Sequence, residues 1–231
     1  MDYSYLNRNV GEVNRRIADA AISCGRDPDK ITLVAAVKYA DADEVNYMCN
    51  NSDIRVIGEN RVQQLMERWE KLDVGAVKIH FIGSLQTNKV KYIVDKVDLI
   101  HSLDSDKLAA EIDKQAGKKG IVARVLVEIN SGNEESKGGI AADEAKDFCL
   151  SLAKYANIEL CGFMTMAPRC ENKNDYYGYF NKVKAISDEI WYNALKKSGE
   201  PIISMGMSES FEIAIECGAT MVRVGRQLFL K

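Results

Sequence analysis

The chain has 231 residues, 46% of them hydrophobic and 28% charged, with a net charge of −3. That composition is ordinary for a globular protein, and the interleaved charges argue against non-specific binding to nucleic acid or to an anionic membrane. No apolar run approaches bilayer length, and the opening Met1-Asp-Tyr-Ser-Tyr5 lacks the basic and apolar regions of a leader, so the expected location is cytoplasmic.

In chain order, Leu6, Val10, Val13, Ile17 and Ala20 recur at helical spacing and predict an opening helix over 4–24, stopped by Gly25 and Pro28. An apolar strand over 31–37 follows and ends at Lys38. Asp41 with Glu44 three residues on reads as a capping box. A second strand, 54–57, leads to Gly58-Glu59-Asn60 and a helix through Leu65 and Trp69; a third, 77–82, ends in Gly83-Ser84. The fourth, 97–100, ends at His101-Ser102, and its helix, from Leu108 to Ala116, closes at Gly117.

The fifth strand, 121–129, stops at Asn130, and the stretch from Ser131 to Gly139 reads as a loop. A sixth strand, 158–166, is broken by Pro168, and a long amphipathic helix runs from Tyr176 to Gly199. Strand seven, 202–205, passes to a helix opened by Met207-Ser208; strand eight, 221–224, precedes Gly225-Arg226. Eight strand–helix units predict an α/β fold, a (β/α)8 TIM barrel with an extra N-terminal helix, forming one domain over 1–231. A doubly wound sheet is the runner-up, but Lys38-Tyr-Ala-Asp41 stands where its glycine-rich turn belongs.

The working face of such a barrel is built at the carboxyl ends of its strands. There, Ser204-Met-Gly-Met-Ser208 offers a small residue on the turn and Ser208 as a helix cap, and Gly225-Arg226 offers close backbone approach with a positive charge. Both suit a phosphate, although serine caps with glycine turns are common without one. Lys38 by itself reads most simply as a lysine snorkelling to water. Leaving a dry strand would instead lower its pKa and free the amine to attack a carbonyl. Glu59 reads as a cap, a solvated charge or a base. The methionines at 164, 166, 205 and 207 read as packing of the barrel interior or rim. His80 and His101 share no ligand spacing, and the six cysteines form no C-x-x-C pair, so neither zinc nor disulfides are expected. A lysine facing a phosphate site suits a phosphorylated aldehyde, pyridoxal phosphate first, with a cofactor-free lysine aldolase acting on a sugar phosphate also open.

Leu33-Val-Ala-Ala-Val-Lys38, Gly58-Glu-Asn-Arg-Val-Gln63, His80-Phe-Ile-Gly-Ser-Leu-Gln-Thr-Asn-Lys89, Ser136-Lys-Gly-Gly139, Gly162-Phe-Met-Thr-Met166, Ser204-Met-Gly-Met-Ser-Glu209 and Met221-Val-Arg-Val-Gly225 follow in this order. Together they resemble the pyridoxal-phosphate homeostasis protein family, single-barrel relatives of the alanine racemase N-terminal domain. The resemblance runs from about residue 5 to the last. It implies Lys38 as the Schiff-base lysine and Ser208, Gly225 and Arg226 as the phosphate holders. Arg223 would lie against the pyridine nitrogen, and Asn60 and Met205 would line the pocket. Val37 and Arg226 depart from the hydroxyl residues usual in the family at those places.

Racemases carry a second domain with a tyrosine base, and the chain ends at Lys231. The resemblance therefore implies a carrier and buffer of pyridoxal 5′-phosphate with little or no turnover, the alternative being a racemase of low activity. Its partners would be apoenzymes that use the cofactor, and its assembly a monomer or weak dimer.

Overall fold

The protein is described here from a computed structural model, which covers residues 2–132 and 138–231. Eight parallel strands close into a barrel. They are β1 (Thr32–Ala36), β2 (Val56–Glu59), β3 (Lys78–Phe81), β4 (Leu99–Leu103), β5 (Ala123–Asn130), β7 (Ile158–Met164), β8 (Ile202–Ser204) and β9 (Met221–Val224). Going round, the order is β4-β3-β2-β1-β9-β8-β7-β5, and β4 pairs with β5 to close the ring. A two-residue strand, β6 (Ile140–Ala141), which the sequence pattern did not suggest, adds to the end of β5. The loop read over 131–139, with the Ser136-Lys137 part of its motif, lies partly outside the described residues.

Alternation along the strands sorts the side chains into two cores. Val34, Ala36, Val56, Ile82, Leu99, Leu126, Met164 and Met221 pack inside the ring. Leu33, Ala35, Val37, Ile57, Phe81, Val125, Val127, Phe163 and Val222 face outward and pack under the helices. The inner parity of β1, residues 34 and 36, carries on to Lys38 at the mouth.

The opening helix α1 (Ser4–Ser23) buries the stripe that its spacing predicts. It lies against α8 (Phe211–Glu216) and the 3-10 turn Arg226–Phe229, where Arg16 meets Glu212 at 2.6 Å. Asp41 and Glu44 form the predicted capping box of α2 (Ala42–Asn51).

Several predicted ends move. β2 runs on through Glu59 and β4 through Leu103, because their neighbours supply ladder partners as far as Phe81 and Val127. The helix α5 (Asp106–Lys119) passes Gly117 and ends at Gly120, which takes a φ of +65°. The long helix from Asp175 becomes π-helical over Glu189–Ala194.

Candidate functional site

A cavity of about 300 Å³ opens at the carboxyl ends of the strands. Lys38, Asn60, Ser208, Arg223, Gly225 and Arg226 all line it. Met205 does not: it is fully buried in the outer core, and Met207, the next residue of the same parity, lines the cavity instead. Met164 sits inside the ring as its spacing suggests, while Met166 is exposed at the rim.

Lys38 stands just past β1, on a backbone held from both sides. Val37 N–H donates to Gly58 O at 3.1 Å, and Arg68 Nη1 donates to Val37 O at 3.3 Å. The lysine side chain is exposed, with Nζ 4.7 Å from the centre of the Tyr39 ring. The dry setting expected of a lysine leaving a buried strand is therefore not met, because β1 ends before Lys38 and the chain emerges into the cavity.

Glu59 is neither a cap nor a solvated charge, nor does it reach the cavity. It is fully buried on the outer face of β2, 3.4 Å from Arg68, and burial pushes its pKa up. Beside it, Asn60 turns toward the cavity, and its buried Oδ1 has no hydrogen-bond partner among the described residues. Gly83 lets the backbone of Asn60 pass, since a Cβ there would stand 2.0 Å from Asn60 O.

The wall that the sequence reading assigns to a phosphate is built from the ends of β8 and β9. Gly206 has a φ of +87°, and a Cβ on it would lie 2.5 Å from the Cβ of Ala214. Arg223 N–H donates to Gly206 O at 3.1 Å, which ties this turn to β9. The predicted cap at Ser208 does not form. The helix starts later, at Phe211, and half-buried Ser208 belongs to the turn before it, with its O accepting from Gln227 Nε2. Arg226 opens the C-terminal 3-10 turn, whose first N–H groups have no acceptor within it. Its exposed guanidinium lies 3.7 Å from Glu209.

Arg223 is the buried cation of the site. Nη1 donates to Ser204 Oγ at 2.6 Å and Nη2 to Thr165 O at 2.9 Å. Burial lowers its pKa to about 10, partly offset by the charge of Glu128. Burial in turn pushes Glu128 up to about 7, with Arg223 pulling it the other way. Glu128 escaped the sequence reading because it sits mid-strand. Arg169 escaped it too, although its place just after Pro168 at a strand end was a usable signal. Lys38, Arg169, Arg223 and Arg226 against Glu209 give the walls a net positive charge suited to a dianion.

The residues present fit a phosphorylated aldehyde: a lysine without a carboxylate partner among the described residues, a cationic wall, and a buried amide oxygen unsatisfied among them meet in one cavity. No group of three or more metal-ligating side chains occurs among the described residues. No helix of the described residues is long and apolar enough to cross a membrane.

Residues 27–231 match the sequence profile of the family described as alanine racemase, N-terminal domain. The pyridoxal phosphate homeostasis protein of Aquifex aeolicus is 42% identical over 222 residues, covering 95% of each chain. A solved protein of unknown function from Bifidobacterium adolescentis superposes with a TM-score of 0.89 at 32% identity, covering 99% of this chain and 97% of that one. PipY of Synechococcus elongatus, solved with PLP bound, superposes with a TM-score of 0.79 at 28% identity, covering 93% of this chain and 100% of that one.

Proposed function

The chain belongs to the pyridoxal phosphate homeostasis protein family, and from that membership we propose that its cavity binds pyridoxal 5′-phosphate and that the protein holds the cofactor in reserve. The observation that carries this reading is the meeting of Lys38 with a cation-rich wall at one barrel mouth. Lys38 takes the aldehyde covalently. Ser208, Gly225 and Arg226 hold the phosphate, Arg169 adds charge on the same side, and Asn60 borders the ring. Arg223 faces the ring nitrogen. Met205 acts only by packing beneath the turn that carries Met207 and Ser208.

When bound, the cofactor supplies an electron-withdrawing ring to an amine joined at its aldehyde carbon. Arg223 is a donor only and carries a fixed charge, so it disfavours protonation of the ring nitrogen and weakens that withdrawal. Storage with little turnover is the activity this arrangement favours, and apoenzymes that need the cofactor are its recipients.

The test is a visible-absorption titration of the purified protein with pyridoxal 5′-phosphate. Wild type develops the band of the lysine-bound cofactor and Lys38→Ala does not, while neither turns over a panel of amino acids. A band that survives in Lys38→Ala overturns the assignment of the lysine. Robust racemisation by wild type overturns the storage reading.

A further inference from the structure

A chain of buried hydrogen bonds runs down the barrel axis from Arg223. Its Nη1 donates to Ser204 Oγ, which lies 3.1 Å from His101 Nδ1, and His101 Nε2 lies 3.0 Å from His80 Nδ1. Ser204 and His101 are fully buried, and His80 is 3% exposed. Burial pushes His80 down to about 4 and His101 well below the usual histidine range, so both are neutral and each carries one N–H.

The direction of the chain follows from donor arithmetic. Arginine only donates, so Ser204 Oγ accepts from Arg223 and still has its own hydrogen to place. Among the described residues, His101 Nδ1 is the partner it has. His101 therefore accepts at Nδ1 and carries its proton on Nε2, which donates to His80 Nδ1. That leaves the proton of His80 on Nε2, an atom with no hydrogen-bond partner among the described residues.

His80 lines a second cavity, of about 290 Å³, at the amino ends of the strands. None of its lining residues lines the first cavity. Lys30, Lys78 and Arg124 stand in its wall, and Glu200 is the one carboxylate there. Arg124 also meets the exposed Glu159 at 3.5 Å. Asp98, which acts on His80 from nearby, accepts from Ile79 N–H at 2.8 Å. The mouth thus sets a neutral donor, on a ring that is itself buried, between Lys30 and Lys78, with Arg124 shared between the mouth and Glu159, while Val56, Leu99 and Met221 give it an apolar back wall.

We propose that this amino-end mouth is a second binding site, for a small oxyanion of the phosphate class, with His80 Nε2–H as the donor facing the cavity and Lys30, Lys78 and Arg124 as the countercharges. Neutral donors deep in a site fix orientation, and flexible cations at its rim supply attraction. The protein would then bind phosphoryl oxygens at both ends of its barrel, by different chemistry at each.

The test follows the imidazole nitrogen and N–H resonances of the full chain, whose two histidines keep the spectrum readable. Inorganic phosphate is titrated at constant ionic strength, with the protein first saturated with pyridoxal 5′-phosphate and again without it. A saturating shift of the His80 Nε2–H signal in both titrations supports the site. A tenfold or greater weakening in Lys30→Ala/Lys78→Ala, whose parent side chains are both exposed, supports it further. A parallel titration with glycerol phosphate separates a site for phosphate esters from one for the free anion. No saturating shift, or an unchanged shift in the double variant, overturns the proposal. Failure of the cofactor reading would show separately, as a protein that never takes up pyridoxal 5′-phosphate while His80 still responds to phosphate.

Discussion

Arg223 Nη1 lies 2.6 Å from Ser204 Oγ, and this bond ties the last strand of the barrel to its neighbour beneath the cavity. The same hydroxyl serves His101, so Ser204 is a junction with both of its roles buried. Ser204→Ala strands a guanidinium N–H and an imidazole nitrogen at once. The expected cost is about 1–3 kcal/mol of stability for a buried group left unsatisfied, read from urea unfolding. Affinity for pyridoxal 5′-phosphate should fall severalfold, because among the described residues the Arg223 guanidinium then keeps only its bond to Thr165 O.

Glu128 makes stability depend on pH in a definite direction. Its folded pKa, about 7, lies above its ordinary value of 4.5 because the carboxyl is buried. The folded protein therefore keeps a proton that the unfolded chain has already lost between those values. This contribution to stability is complete below about 4.5, declines as pH rises, and is gone above about 7. The decline amounts to roughly 3 kcal/mol, at about 1.4 kcal/mol per unit. Glu128→Gln should abolish this part of the profile and be the more stable protein at pH 8, as unfolding curves taken across the range would show.

The pair buried between β2 and its helix separates charge from packing. Arg68→Ala leaves Glu59 without the one cation beside it among the described residues, at an expected cost of about 3–5 kcal/mol. Adding Glu59→Gln to an Arg68→Met background removes both charges and should recover most of that loss. A double variant no more stable than Arg68→Ala would mean that Arg68 acts through its bond to Val37 O instead.

Gly83→Ala drives a methyl group into the carbonyl of Asn60, 2.0 Å away. The ends of β2 and β3 must separate, costing about 1–3 kcal/mol as other overpacked sites do. Because Asn60 lines the cavity, cofactor affinity should fall along with the melting temperature. An unaltered affinity in a destabilised Gly83→Ala would place Asn60 outside the binding surface.

The barrel itself was legible in the chain. Short apolar runs alternating with amphipathic stretches leave a parallel sheet with both faces covered as the solution, and eight such units close it. Strand ends could be located to within a few residues, which was enough to bring Lys38, Asn60, Ser208, Arg223, Gly225 and Arg226 to one mouth. Periodicity is a local property, so one sequence carries it.

What only the tertiary structure decided was which side of a strand each residue meets and what waits there. Met205 and Met207 are equivalent in pattern, yet the turn at Gly206 buries one and exposes the other to the cavity. Glu59 turned outward to Arg68, Lys38 emerged into the open, and Glu128 came within electrostatic reach of Arg223. His80 and His101, far from ligand spacing and 21 residues apart, became one hydrogen-bonded pair. Ring closure sets such meetings, because burial and the nearest charge are properties of the folded neighbourhood and not of the strand that carries the residue.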